Sequence, residues 1–170
     1  TILNKYQKKV LERNKILKNN IYDENWIRQV EIEIVNLGMI IFQKRIKHIN
    51  ILNSNLSLLN QRGKKFYQIE LQIFNNYIPD FKSSYEEVQS LYLLELKKSR
   101  HIDSIIGGCK IGPHKTDIVG INHSNELNIN QFSTGQQKTI VLLIIIAQCK
   151  YLLETLKRKP IILFDEVCSH

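Results

Sequence analysis

The chain has 170 residues, 43% hydrophobic and 24% charged, which is enough apolar side chain for a packed core and too much for a disordered segment. Its formal net charge of +8 points to nucleic acid or another anionic surface as partner. Cys109, Cys149 and Cys168 lack Cys-x-x-Cys spacing, which argues against zinc and against a disulfide framework; the longest apolar run, 140–147, is too short to span a membrane.

Residues 1–18 read as a helix with Leu3, Tyr6, Val10 and Leu17 on one side. Residues 19–22 break it, and Asp23 can cap a second helix from Glu24 to Leu59. Ile27, Val30, Ile34, Leu37 and Ile41 follow heptad spacing there, continued after a phase shift by Ile46, Ile49, Leu52, Leu56 and Leu59. Two such helices joined by a short turn predict an antiparallel helical arm, and the core of an ordinary helical bundle would carry the same pattern. Tyr22 and Trp26 read as packing anchors rather than base-stacking groups. Lys44, Arg45 and Lys47, with Lys8, Lys9, Arg13, Lys15 and Lys18, make the arm basic. They are candidates to neutralise DNA phosphates without reading sequence, although solvated helix faces carry lysine as well.

Alternating Tyr67, Ile69, Leu71 and Ile73 predict a strand. Ser84-Tyr85-Glu86-Glu87 is a capping box that opens a helix to about Ile105, stopped by Gly107-Gly108. Short strands are expected at Cys109–Ile111, Asp117–Ile121 and Leu127–Ile129, the first two flanking a Gly112-Pro113-His114 turn. A helix should run from Gly135 to about Lys157, apolar on all sides at 140–147 and therefore buried. After Pro160, the run Ile161–Phe164 fits a buried parallel strand ending in Asp165-Glu166. The expected organisation is a helical arm over 1–60, strands and a helix over 61–134, and a signature helix with its acidic strand over 135–170.

Two motifs carry chemistry. Ser133-Thr134-Gly135-Gln136 opens a helix: Ser133 can cap it and offer a hydroxyl to a phosphate, and Gly135 lets a ligand approach the backbone. An ordinary N-cap uses the same residue types. Asp165 and Glu166 lie where ligands bind in open α/β sheets, beyond a strand's carboxyl end. Asp165 suits Mg²⁺, which takes hard oxygen ligands, and Glu166 suits the orientation or deprotonation of an attacking water. An Asp-Glu pair also occurs at strand ends by chance.

Phe132-Ser133-Thr134-Gly135-Gln136 resembles the Leu-Ser-Gly-Gly-Gln signature of ABC-type ATPases. With Gln137-Lys138, the upstream Gly112-Pro113-His114-Lys115-Thr116-Asp117, the terminal Asp165-Glu166-Val167-Cys168-Ser169-His170 and Glu12-Arg13-Asn14, the chain resembles the RecF family of bacterial DNA replication and repair ATPases, relatives of SMC and Rad50 proteins. Thr134 replaces the first glycine of the general signature, and Lys115 stands where the family usually has arginine, keeping the charge but losing the planar fork. No Gly-x-x-x-x-Gly-Lys-Ser/Thr phosphate loop occurs in the sequence; Gly63-Lys64-Lys65 lacks the upstream glycine and the hydroxyl.

The resemblance implies an α/β fold: the second lobe of an ABC-type, SMC-like ATPase head with a helical arm and a small sheet, as a C-terminal fragment. It implies ATP and Mg²⁺ as cofactors of the complete protein, and an ATP-dependent homodimer in which Ser133, Thr134, Gly135 and Gln136 face the partner's nucleotide. Asp165 then serves the metal, Glu166 is catalytic, and His114, Lys115 and Asp117 lie near the nucleotide or dimer surface. It further implies binding of single-stranded and linear double-stranded DNA, recombinational repair, the SOS response, RecO and RecR as partners, and a cytoplasmic location. Without a phosphate loop the chain alone should not turn over ATP. A non-catalytic helical DNA-binding or scaffold module, or another SMC-like head, remains the alternative.

Overall fold

A computed structural model of the chain describes residues 1–19, 23–62, 67–75 and 84–165, with side chains at 60–62 excepted. In order, the elements are α1 (Ile2–Lys18), α2 (Glu24–Arg62), β1 (Ile69–Phe74), α3 (Tyr85–Ile106), β2 (Asp117–Asn122), β3 (Leu127–Asn128) and α4 (Thr134–Glu154). Short 3₁₀ turns occupy Pro113–Lys115 and Ile129–Gln131. The residues form two compact units: 1–45 with 74–117, and 46–73 with 118 onward. α2 contributes its first part to one and its remainder to the other.

The first unit is helical. Thr1 caps α1, and its side chain accepts from the Asn4 N–H. Asp23 Oδ1 accepts from the N–H groups of Asn25 and Trp26 at the start of α2, as its position predicts. The capping box of α3 forms in both directions between Ser84 and Glu87. Gly107 ends α3 in the left-handed region, φ 76°, where glycine has no Cβ penalty. The core joins Tyr6, Ile16 and Leu17 of α1, Ile27, Val30, Ile34, Val35, Met39 and Phe42 of α2, and Val88, Tyr92 and Leu96 of α3. α3 packs on α1, so α1 and α2 do not shelter their apolar faces on each other alone. Leu3, at 53% exposure, lies outside this core, and Trp26, expected as a packing anchor, is 54% exposed.

Four buried ionic groups sit inside that helical core. Arg13, expected on the basic outer face, is completely buried. Its Nε–H donates to Glu31 Oε1 at 2.9 Å, and NH1 and NH2 donate to Asp103 Oδ2 at 2.6 Å and Leu96 O at 2.7 Å. Arg100 grips Glu31 with a bidentate fork, 3.0 and 2.6 Å. Ser99 Oγ and the Lys110 N–H complete the shell around Asp103. A desolvated charge survives only when paired and hydrogen-bonded, and here each is.

In the second unit the sheet order is β1-β2-β3, and β2 pairs antiparallel with β3 in the register Ile121↔Asn128 and Asn122↔Leu127. The Asn53 side chain acts as a short substitute strand: Nδ2 donates to Leu71 O at 2.9 Å while Oδ1 accepts from Leu71 N–H at 2.8 Å. Ile49, Leu52 and Leu56 of α2, Ile69 and Leu71 of β1, and Ile140, Leu143 and Ala147 of α4 form its core.

Three expectations are corrected here. Cys109–Ile111 is not a strand; it runs into the Gly112 turn with Cys109 and Ile111 packed in the helical core. α4 is buried on one face only, since Val141 and Ile146 are 53% and 42% exposed. It also stops at Glu154, because Lys157 takes φ 53° and the Arg158 N–H closes back on Leu152 O at 2.8 Å. Ile161–Phe164 forms no strand among the described residues, and Ile161 and Leu163 are 89% and 91% exposed. A strand needs a neighbour to take its N–H and C=O groups, and no described segment pairs with this one. The Gly63-Lys64-Lys65 turn, Tyr22 and Cys168 lie outside the described residues.

Candidate functional site

The signature segment forms a fully made helix start. Ser133 takes extended angles (φ −60°, ψ 155°), and its Oγ accepts from Gln136 N–H at 3.3 Å. Gln136 Oε1 returns the contact by accepting from Ser133 N–H at 3.0 Å. The reciprocal pair satisfies two N–H groups that a helix end leaves open. Gln137 Nε2 donates to Phe132 O at 2.9 Å and to Asn130 O at 3.3 Å, tying the helix to the turn before it. Phe132 packs against Tyr67, ring centroids 5.5 Å apart, and joins the second core. Apolar Phe132 thus holds the turn down while Ser133, Thr134 and Gly135 stay exposed.

Gly135 is informative for what surrounds it. It does not use a positive φ, and a Cβ built on it meets nothing within 4 Å. Neither backbone strain nor packing within the described chain therefore calls for glycine. Such a position suits close approach by a body outside the chain.

Asp165 lies at an exposed bend after the apolar run, and Glu166 lies outside the described residues. Among the described residues no group of three or more His, Cys, Asp or Glu could hold a metal. Asp165 nevertheless fits the donor that Mg²⁺ takes beside nucleotide phosphates, one solvent-facing carboxylate.

The Gly112-Pro113-His114 turn has a different character. Gly112 has φ 129° and ψ −178°, and a Cβ there would stand 2.2 Å from Tyr6 Oη and 2.3 Å from Tyr92 Oη. His114 Nδ1 lies 2.8 Å from Tyr6 Oη, which lies 3.2 Å from Tyr92 Oη. His114 Nε2 lies 2.8 Å from Cys109 O. A carbonyl only accepts, so Nε2 carries the proton, and in the neutral ring Nδ1 then accepts from Tyr6. Burial, foremost, lowers the His114 pKa from 6.5, with Lys115 and Arg45 adding to that and the Cys109 carbonyl opposing it. Burial likewise raises the Tyr92 hydroxyl and the Cys109 thiol above their ordinary values.

Arg45 NH1 donates to Pro113 O and, at 2.7 Å, to Thr116 Oγ1. Of the residues expected at DNA, Lys44 and Lys47 are exposed, while Arg45 is half-buried on this turn. Lys9 bridges Glu12 at 3.0 Å and Glu33 at 3.1 Å. Lys115 and Asp117 are exposed beside the turn. Sequence reasoning missed Tyr6, Tyr92 and Arg45 as partners of the motif. The only signal was a polar hydroxyl at Tyr6 on an otherwise apolar helix face.

These elements compose an α/β fold. No family model matches the chain. It is 31% identical over 170 residues to the DNA replication and repair protein RecF of Rickettsia bellii (strain OSU 85-389), covering 99% of this chain and 46% of that protein. RecF of Rickettsia typhi matches at 31% with the same coverage. Two solved structures share the fold. The recombination mediator protein RecF-ATP in the RecFOR pathway has a TM-score of 0.80 at 23% identity, covering 99% of this chain and 45% of that one. The corresponding RecF-ATPrS structure has a TM-score of 0.82 at 21% identity, covering 98% and 45%. The chain is similar to RecF proteins over nearly its whole length and spans about half the length of the curated relatives it matches.

Proposed function

We propose that the chain is the C-terminal part of a DNA replication and repair ATPase and supplies the signature half of a nucleotide site completed by a second copy. The observation that carries this is the start of α4. Ser133, Thr134 and Gly135 are exposed on a helix end, and the glycine faces space that no described residue fills. Free helix N–H groups and the Ser133 hydroxyl proton suit a phosphate, and the missing Cβ lets it come close. ATP, named with the RecF structures of the same fold, is the nucleotide this reading assigns.

In the closed dimer Ser133, Thr134, Gly135 and Gln136 cover the γ-phosphate held by the partner's phosphate loop. Asp165 supplies an oxygen for Mg²⁺, whose role there is to neutralise phosphate charge. Glu166 orients the attacking water and takes its proton. His114, partly exposed itself, holds the turn that carries Lys115 and Asp117 through Tyr6 and the Cys109 carbonyl. ATP-dependent closure brings the protein to its single- and double-stranded DNA-binding state, and hydrolysis releases it. Exposed Lys8, Lys15 and Lys18 of α1, with Lys44 and Lys47, meet phosphates; Arg13, Lys9 and Arg45 are committed to internal partners. Recombinational repair, the SOS response, RecO and RecR as partners and a cytoplasmic location belong to the same reading. Among the described residues no helix is long and apolar enough to cross a membrane.

The test is Glu166→Gln in the complete protein. Nucleotide binding should be retained while turnover falls at least about a hundredfold, the range of general-base removal. Unchanged turnover would take Glu166 out of its role.

A further inference from the structure

The helical unit holds a cluster of cations around a cavity, separate from the signature turn. A cavity of about 410 Å³ opens between α2 and α3, lined by the cations Arg28, Lys97 and Arg100, the carboxylates Glu24 and Glu31, and Leu93 and Leu94. Among the described residues neither Arg28 nor Lys97 forms an ion pair, and both are exposed. Arg100 is 8% exposed and is held charged chiefly by its hydrogen bonds to Glu31, which raise its pKa.

The three N–H edges of Arg100 are used unequally. Nε and NH2 are fixed on Glu31, which is 1% exposed and shared with Arg13. NH1, by contrast, meets only Glu24 Oε2 at 2.7 Å, and the Glu24 side chain is 71% exposed. The inner carboxylate is thus neutralised by two guanidinium groups, whereas the outer one is held by a single part-buried contact and stands largely in solvent. Glu24 is a carboxylate that another anion can displace at small cost. Once it swings out, Arg100 NH1, Arg28 and Lys97 face one cavity whose remaining carboxylate, Glu31, is already neutralised by Arg13 and Arg100.

We infer that this cavity is a binding site for a phosphate group, free or carried as a monoester, with Glu24 as its exchangeable placeholder. The inference does not depend on the nucleotide reading. Guanidinium N–H groups match phosphate oxygens in geometry and charge. Leu93 and Leu94 form an apolar wall for the organic body of the ligand. The phosphate can belong to a small metabolite or be taken as the free ion, and the probes separate these.

The test is calorimetric titration of the complete protein with inorganic phosphate and with phenyl phosphate, a monoester that carries no nucleoside to draw it to an ATP site. Saturable binding is expected, tighter for phenyl phosphate where the apolar wall contributes; equal affinities would assign the free ion. Arg28→Ala and Lys97→Ala should each weaken it about tenfold, the effect of losing one charge-assisted hydrogen bond. Glu24→Gln should tighten binding up to about fivefold, because a competitor of about 1 kcal/mol is gone. That gain cannot come from a misfolded variant. Absence of saturable binding, indifference to Arg28→Ala and Lys97→Ala, or weakening by Glu24→Gln would overturn the inference.

Discussion

Replacing Arg13 with alanine tests whether the helical unit is organised around its buried charges. In the native chain Arg13 is wholly buried and donates to Glu31, Asp103 and Leu96 O at 2.9, 2.6 and 2.7 Å. Alanine leaves Glu31 with Arg100 alone and leaves Asp103 with the Ser99 hydroxyl and the Lys110 N–H. Removing one partner from a buried ionic group costs about 3–5 kcal/mol, a large part of the ~5–15 kcal/mol that holds a domain folded. With a urea slope of about 1–3 kcal/mol/M, the unfolding midpoint should fall by at least about 1 M. Near-ultraviolet circular dichroism of buried Tyr6 and Tyr92 reports on the same core. Lys9→Ala, which removes a partly exposed bridge to Glu12 and Glu33, should barely move the midpoint. Arg13→Lys should fall between, since it keeps the charge without the fork. A midpoint shift for Arg13→Ala no larger than that for Lys9→Ala would refute the reasoning.

Two further predictions concern the Gly112 turn. Gly112→Ala combines a φ of 129° with a Cβ 2.2 Å from Tyr6 Oη, so it should destabilise the helical unit by about 3 kcal/mol, measured by thermal unfolding; a loss under about 1 kcal/mol would show the turn to be pliable. His114 should make stability pH-dependent: its folded pKa lies below the ordinary 6.5, so the unfolded chain binds the proton more tightly. The contribution is complete above pH 6.5 and is lost as pH falls from there through the lowered folded value. Melting temperatures between pH 8 and 5 should show that loss, and His114→Gln should flatten it; the same slope in both proteins would assign the effect elsewhere.

The helices were legible because their start signals are local. Ser84-x-x-Glu87 and Ser133-x-x-Gln136 make the reciprocal bonds their spacing predicts, and Asp23 caps α2. Arg13 was misplaced because charge predicts exposure, whereas its partners Glu31 and Asp103 lie far along the chain, beyond any periodicity argument. The same distance hid the role of His114, whose partner Tyr6 is 108 positions away. The apolar runs at 140–147 and 161–164 predicted burial and a strand on hydrophobicity alone; burial also needs a covering partner, and none of the described segments covers Val141, Ile146, Ile161 or Leu163. In the signature turn the residue types were legible, and the empty space at Gly135 was not, because only the folded chain shows what a glycine lacks around it.

Sedimentation of the complete protein, with and without ATP, most directly tests the claim that the α4 start faces a nucleotide bound by a second copy. Ser133→Arg gives up the cap of α4, a cost of about 1 kcal/mol, and fills the exposed turn with a long side chain. ATP-dependent dimers are expected in the parent protein and should be absent in the variant, with nucleotide binding to each protomer retained. Dimers that persist in Ser133→Arg would contradict the account.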